Sequence, residues 1–220
     1  GIDPVGAATL PAAALTARLA FDWAQLRPGD RVLIHAASGG VGMAAIQLAR
    51  HHGATVFATA SAHKRATLRE MGVEYIYDSR STDFADQILA DTDGAGVDVV
   101  LNSLTNDGFI EATVRATATG GRFAEIAKRD IWTTEQMAAV RPDIDYEIVA
   151  LDVTMMTDPD HIRRLMLELS EGLAKGEWTP VPAEVYPLTE ARGAFRRMQQ
   201  ARHIGKIVVQ MPKPLAPRAD

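Results

Sequence analysis

The feature that constrains the fold most is a glycine-rich turn between an apolar strand and an amphipathic helix. Residues 32–43 read VLIHAASGGVGM, and an alanine-rich helical pattern follows. Gly39 and Gly40 let the backbone approach a pyrophosphate group, and Gly42 permits close packing of helix on strand. The helix N-terminus adds free N–H groups and a positive dipole end. The spacing Ala36-x-x-Gly39-x-x-Gly42 departs from G-x-G-x-x-G, but this context still predicts a dinucleotide site. Its candidate residues are Ser38, Gly39, Gly40, Val41 and Gly42.

Strand and helix patterns alternate along the rest of the chain. Apolar runs predict strands at 31–35, 55–59, 74–77, 96–101, 122–126, 145–151 and 206–210. Helical spacing predicts helices at 12–26, 41–51, 64–71, 83–90, 108–116, 159–173 and 188–200. Such alternation predicts an α/β fold with a doubly wound parallel sheet of the Rossmann type.

Composition excludes several classes of protein. The net charge of −5 and the scattered basic residues argue against a partner that is a nucleic acid or an anionic membrane. The chain has no cysteine, and no His, Cys and Glu residues occur at metal-ligand spacing, so we expect no metal site. No apolar run reaches the ~20 residues of a membrane span, and no secretory signal is present. We therefore expect a cytoplasmic protein.

The end of the second predicted strand indicates which nucleotide binds. NAD sites place an acidic residue there on the ribose 2′-hydroxyl, but residues 59–65 read TASAHKR and contain none. Ser61, Lys64 and Arg65 supply the hydroxyl and the cations that a 2′-phosphate requires, which predicts NADPH. The alternative is that Lys64 and Arg65 are ordinary surface charges of a helix. The missing acid also argues against an S-adenosylmethionine methyltransferase.

Two further residues lie beside predicted strands. Asn102 follows an apolar strand at the edge where such sheets bind ligands, so we expect it to contact the nicotinamide or its ribose. The alternative for Asn102 is a turn residue that ends the strand. His35 adjoins the glycine turn, and we expect it to be a packed side chain.

Five segments together resemble one family. They are residues 33–43, 57–61, 97–104, 121–130 and 203–208, which read LIHAASGGVGM, FATAS, VDVVLNSL, GRFAEIAKRD and HIGKIV. In this order they resemble the enoyl reductase domain of type I polyketide and fatty acid synthases. That domain belongs to the zinc-free, quinone-oxidoreductase-like branch of the medium-chain dehydrogenases. The resemblance extends from about residue 7 to residue 210.

The resemblance also implies a domain organisation. The family has a GroES-like substrate subdomain ahead of the nucleotide domain, and its C-terminal segment returns to pack on that subdomain. We expect a connecting helix at 1–26, the NADPH-binding domain at 27–180, the returning segment at 181–211 and a proline-stiffened linker at 212–220. The first four residues do not look like a natural start, so we expect a piece of a longer polypeptide. Apolar faces on Val185, Tyr186, Phe195 and Met198 would then be exposed.

The reaction that the resemblance implies is reduction of an α,β-unsaturated thioester on an acyl carrier protein. A hydride from NADPH attacks the β-carbon, and the α-carbon then takes a proton. The family's catalytic lysine falls on Lys128 and its aspartate on Asp152, although Ala127 stands where glycine is usual. Lys206 matches the family's cofactor-contacting lysine.

The implied partners are the acyl carrier protein, neighbouring synthase domains and a possible second copy of the chain. One alternative is a free-standing NADPH-dependent quinone or alkenal reductase. A second is a non-catalytic nucleotide-binding scaffold. A short-chain ketoreductase is disfavoured because no Tyr-x-x-x-Lys occurs.

Overall fold

The computed structural model describes residues 2–106 and 108–212, so nearly all of the predicted linker at 212–220 lies outside the described residues. The helices are α1 (Pro4–Thr9), α2 (Pro11–Trp23), α3 (Gly40–His51), α4 (Arg65–Glu70), α5 (Phe84–Asp91), α6 (Phe109–Ala116), α7 (Thr134–Val140), α8 (Leu151–Thr157), α9 (Pro159–Lys175) and α10 (Ala191–Gln199). The strands are β1 (Arg31–Ile34), β2 (Thr55–Ala60), β3 (Tyr75–Asp78), β4 (Val97–Asn102), β5 (Thr117–Glu125), β6 (Asp145–Ile148), β7 (Ala183–Pro187) and β8 (Lys206–Gln210).

Six strands form one parallel sheet in the order β3-β2-β1-β4-β5-β6. Val32, Leu33 and Ile34 have no exposed surface because helices cover both faces of the sheet. The chain builds outward from β1 through β2 to β3 and then returns to β4 on the other side. The strand order therefore reverses between β1 and β4, and ligands bind at such a reversal in doubly wound sheets. The predicted fold class is confirmed.

The C-terminal segment forms its own small parallel sheet of β7 and β8, with α10 between them in sequence. The backbone N–H of Val181 donates to the hydroxyl of Thr9 in α1 at 3.1 Å, so this segment packs on the N-terminal helix. Val185, Phe195 and Met198 are 45%, 63% and 48% exposed, which confirms the exposure expected of them, and Tyr186 is half-buried.

The structure corrects several sequence-based boundaries. The strand predicted to reach Leu151 ends at Ile148, because the pairing of β6 with β5 stops at the partners Glu125 and Ile148. Leu151 instead begins α8. The strand predicted from residue 122 begins at Thr117. The segment predicted as one connecting helix at 1–26 contains two helices, α1 and α2, because Pro11 begins a new helix. Elements that the sequence did not predict are α7, α8 and β7.

None of the helices in the described ranges combines the length and the apolar character that a membrane crossing requires.

His35 is a packed side chain, as expected. Its Nδ1 lies 3.0 Å from the hydroxyl of Thr59 on β2, and its Nε2 lies 2.9 Å from the hydroxyl of Thr113 on α6. Burial of the imidazole lowers the pKa of His35 to about 3. The ring therefore stays neutral at physiological pH and joins the sheet to a helix.

This burial predicts a pH dependence of stability. The unfolded chain takes up a proton on His35 below about pH 6.5, whereas the folded chain does so only near pH 3. The neutral His35 ring makes its full contribution to the free energy of unfolding above about pH 6.5, and this contribution is lost as the pH falls below that value. His35→Gln should therefore reduce the loss of unfolding free energy between pH 7 and pH 5 by about 2 kcal/mol.

Denaturant titrations at both pH values measure this difference, and the exposed His51→Gln serves as the control. An unchanged pH slope in His35→Gln would show that the folded protein already protonates this ring.

Candidate functional site

The glycine turn lies at the carboxyl end of β1, beside the reversal of strand order. Gly39 is the N-cap of α3, and no side chain in the described part of the chain caps this helix, so its N-terminal backbone is available to an anion. A Cβ on Gly42 would lie 2.5 Å from Cα of Ala37, so only glycine allows this approach of helix to turn. A Cβ on Gly39 would meet the carbonyl oxygen of Ala36 at 3.3 Å, and its other side faces open space.

Lys206 at the start of β8 lies across this turn. A Cβ on Gly40 would overlap the Cε of Lys206, and burial lowers the pKa of the Lys206 ammonium. The preceding Gly205 donates its N–H to the carbonyl oxygen of Ser38 at 2.8 Å. Gly205 has φ +70°, and a Cβ there would overlap the carbonyl oxygen of Pro182. Glycine at 205 therefore lets the C-terminal segment hold Lys206 against the turn.

The predicted 2′-phosphate residues follow β2. Ser61 and Lys64 are buried, and the ammonium of Lys64 donates to the carbonyl oxygen of Ala201 at 2.6 Å. Arg65 is half-buried and pairs with Asp78 at the end of β3, at 3.2 Å. The structure thus brings the hydroxyl and both cations to the carboxyl ends of β2 and β3, at one end of the carboxyl edge of the sheet.

Two arginines that the sequence analysis did not select add positive charge near Lys64. Burial, followed by the charges of Arg197 and Arg80, lowers the pKa of Lys64. Arg80 follows β3, so its position beyond a strand next to β2 was a usable signal. Arg197 comes from α10, where it binds Glu184 at 2.8 Å, and no local pattern places it here.

Lys128 and Asp152 meet at the opposite end of this carboxyl edge, beside β5 and β6. Lys128 follows β5, Asp152 lies in the first turn of α8, and the ammonium binds the carboxylate. This hydrogen bond is the main cause of the lowered pKa of Asp152. The side chains are 59% and 71% exposed. Exposed ion pairs contribute little to stability. Stabilisation of the fold therefore does not explain why these two side chains are paired here.

Asn102 ends β4 with no exposed surface. Its amide nitrogen donates to Glu125 at 2.5 Å, and its amide oxygen accepts from the N–H of Leu104 at 3.3 Å. Its contact with the nicotinamide stays a prediction. The sequence patterns did not single out Glu125, which is fully buried at the end of β5. A glutamate at the end of an apolar strand is the signal that would have indicated it.

The candidate residues therefore lie at the carboxyl ends of the strands of one sheet, with the predicted phosphate-binding residues beside β1 to β3 and the Lys128–Asp152 pair beside β5 and β6. Within residues 2–106 and 108–212, no cluster of three or more His, Cys, Asp or Glu residues could hold a metal ion.

Comparisons with known proteins identify the family of this chain. A family model described as zinc-binding dehydrogenase matches residues 71–209. The chain is 45% identical over 213 residues to the phenolphthiocerol synthesis polyketide synthase type I Pks15/1 of Mycobacterium marinum. That alignment covers 96% of this chain and 10% of the relative, so the chain spans about a tenth of that protein's length.

The solved structures that are similar to this chain include two enoyl reductases. The crystal structure of the CurK enoyl reductase matches with a TM-score of 0.92 and 45% identity, over 96% of this chain and 64% of that one. The nucleotide-binding subdomain of the enoylreductase domain of PpsC from Mycobacterium tuberculosis matches with a TM-score of 0.71 and 43% identity. That match covers 78% of this chain and 97% of that subdomain.

Proposed function

We propose that this chain binds NADPH and serves the reduction of a carrier-bound enoyl thioester. The chain belongs to the zinc-binding dehydrogenase family and is an enoyl reductase domain of the polyketide synthase type. The observation that carries the proposal is the arrangement of the sheet edge. A glycine turn, a cationic end and a lysine–aspartate pair follow the carboxyl ends of strands in a single parallel sheet.

The cofactor side of the proposal rests on three groups of residues. Gly39, Gly40, Val41 and Gly42 would present the N-terminus of α3 to the pyrophosphate, with Ser38 and Lys206 beside it. Ser61, Lys64 and Arg65 would surround the 2′-phosphate. Asn102 would lie at the nicotinamide end.

When bound, NADPH supplies the hydride that forms the new bond to the β-carbon. The chain's own part is to manage the negative charge that develops on the thioester oxygen. The Lys128 ammonium can stabilise this charge and donate a proton to the α-carbon, after which the amine regains a proton from solvent. One hydride and one proton thus saturate the double bond.

Asp152 would orient Lys128. The bond between the carboxylate and the ammonium limits the rotamers of a flexible side chain. Asp152 itself needs no change of protonation.

The remainder of the cleft is proposed to come from outside this chain, which covers 64% of the CurK enoyl reductase. The proposed division places the NADPH-binding domain at 27–180, flanked by the connecting helix at 1–26 and the returning segment at 181–211. The exposed faces of Phe195 and Met198 would then meet a GroES-like subdomain. An acyl carrier protein would deliver the substrate, and neighbouring synthase domains and a second copy of the chain are further proposed partners.

Zinc has no part in this proposal. The family description names the metal, but the chain has no cysteine and its described residues hold no suitable cluster.

Two alternative functions can be distinguished from this proposal by the substrates that are reduced. A free-standing quinone or alkenal reductase would reduce small substrates as well as carrier-bound ones. A nucleotide-binding scaffold would bind NADPH and reduce neither.

The first prediction concerns cofactor choice. NADPH should bind this chain one to two orders of magnitude more tightly than NADH, because charge-assisted bonds to a phosphate contribute roughly 1.5–3 kcal/mol. Fluorescence titration with both cofactors measures the ratio. Arg65→Ala should weaken NADPH binding about tenfold and leave NADH binding unchanged. Arg69→Ala, an exposed arginine on α4, is the matched control. Equal affinities for the two cofactors would refute the assignment.

The second prediction concerns chemistry. In the complete enoyl reductase domain, Lys128→Ala should lower kcat on a carrier-bound crotonyl substrate by roughly 10²-fold, through loss of a proton donor and of charge stabilisation. NADPH affinity should barely change, because Lys128 lies at the other end of the edge from the predicted phosphate groups.

Arg129→Ala, a change in the exposed neighbouring cation, should leave kcat unaltered. If Lys128→Ala turned over at the wild-type rate, Lys128 would have no place in the mechanism.

A further inference from the structure

The proposed mechanism leaves one buried ionisable group unused. Glu125 is the last residue of β5 and has no exposed surface. Burial raises the pKa of its carboxyl group, and hydrogen bonds from Asn102 and from the backbone oppose this rise. A buried charge is costly unless hydrogen bonds satisfy it, and an apolar side chain of similar size is often no less stable. A glutamate here therefore calls for a role other than packing.

Its two oxygens bind two different parts of the candidate site. One accepts the side-chain N–H of Asn102 at 2.5 Å, across the β4–β5 pairing in which these residues are register partners. The other accepts the backbone N–H of Ala127 at 2.7 Å. Ala127 immediately precedes Lys128.

Backbone bonds complete this junction. Ile126 donates to the carbonyl oxygen of Asn102 at 3.0 Å, and Val149 donates to that of Glu125 at 2.8 Å. Glu125 is therefore the point at which the carboxyl ends of β4, β5 and β6 are joined, while Lys128 itself reaches into solvent. The rigid junction determines where the flexible side chain starts.

We propose that Glu125 is a positioning residue for the reduction: its carboxylate fixes the turn after β5 against Asn102 and thereby sets the location of Lys128. The inference rests on the proposed function for its catalytic meaning. Asn102 acts in it as the partner of Glu125, since both polar atoms of its amide are already engaged.

A charge swap tests this directly. In Glu125→Gln, the new amide nitrogen faces a donor in either orientation, the Asn102 amide nitrogen or the Ala127 N–H, and turning Asn102 over only moves the conflict to Leu104. The double variant Asn102→Asp with Glu125→Gln removes the conflict. The introduced glutamine then donates to the introduced aspartate and still accepts from Ala127, while the aspartate accepts from Leu104. Every bond is restored with the negative charge on the neighbouring strand.

The first readout needs no turnover. In the ¹⁵N-labelled chain, hydrogen exchange at Ile126 and Ala127 should accelerate about 10- to 100-fold in Glu125→Gln, because the donor conflict disrupts the buried bonds of this junction. The double variant should restore slow exchange, and its protected side-chain NH₂ should belong to position 125 instead of position 102. Glu147→Gln, on the exposed edge of β6, should change neither.

The second readout is a separation of kcat from NADPH affinity in the complete domain. Glu125→Gln should lower kcat about 10- to 100-fold, as displacement of a reacting group by about 1 Å does. Its NADPH affinity should stay within about threefold, because the phosphate groups bind at β1 and β2. If Glu125→Gln does not fold, Glu125→Asp takes its place with the same expected fall, because it keeps the charge but its shorter side chain cannot reach both Asn102 and Ala127.

Wild-type kcat in Glu125→Gln would overturn the inference. So would unchanged exchange at Ile126 and Ala127 in Glu125→Gln, since the carboxylate would then not hold the turn. A wild-type domain that reduces no enoyl thioester refutes the proposed function instead, and the exchange measurement still decides whether Glu125 holds the turn.

Discussion

The close approach of α3 to the turn that precedes it is the contact on which the rest of the site depends. With only 2.5 Å between Cα of Ala37 and a Cβ built on Gly42, the first turn of the helix packs directly against the turn that follows β1. Its N-terminal N–H groups are therefore directed at the reversal of strand order, where a pyrophosphate would lie. The bond from Gly205 to Ser38 then fixes the C-terminal segment to this same turn and places Lys206 over it.

From this turn, the charges divide along the sheet edge. Lys64 and Arg65, with Arg80 and Arg197 nearby, lie beside β2 and β3. Lys128 and Asp152 lie beside β5 and β6, as a solvent-exposed pair that adds little stability. A dinucleotide has the same polarity, with a phosphorylated ribose at one end and the reacting ring at the other. The buried bond between Asn102 and Glu125 joins the ends of β4 and β5, where the proposed function places the reacting ring.

The sequence was sufficient for local and periodic features. The glycine turn, the alternation of strands and helices, and the packed His35 follow from residues close together in the chain. The end of β6 could not be predicted in this way, because the apolar run through Leu151 continues past Ile148, where pairing with the neighbouring strand β5 stops. The strand β7 was missed because its sequence, AEVYP, is short, partly exposed and ends in a proline, so no apolar run marks it. The bond of Glu125 to Asn102 was also missed, since it depends on the register of two strands.

Nuclear magnetic resonance mapping of NADPH on the ¹⁵N-labelled chain tests the central claim most directly. The account predicts the largest amide shifts at residues 38–42, 61–65 and 204–206, with smaller shifts at 126–128 and no global change. The chain also has a groove of about 340 Å³ on the face of the sheet covered by α2, α3 and α9, lined in part by Leu15, Leu48 and Leu165. Shifts confined to that groove, or no saturable shifts at the carboxyl edge, would contradict the account.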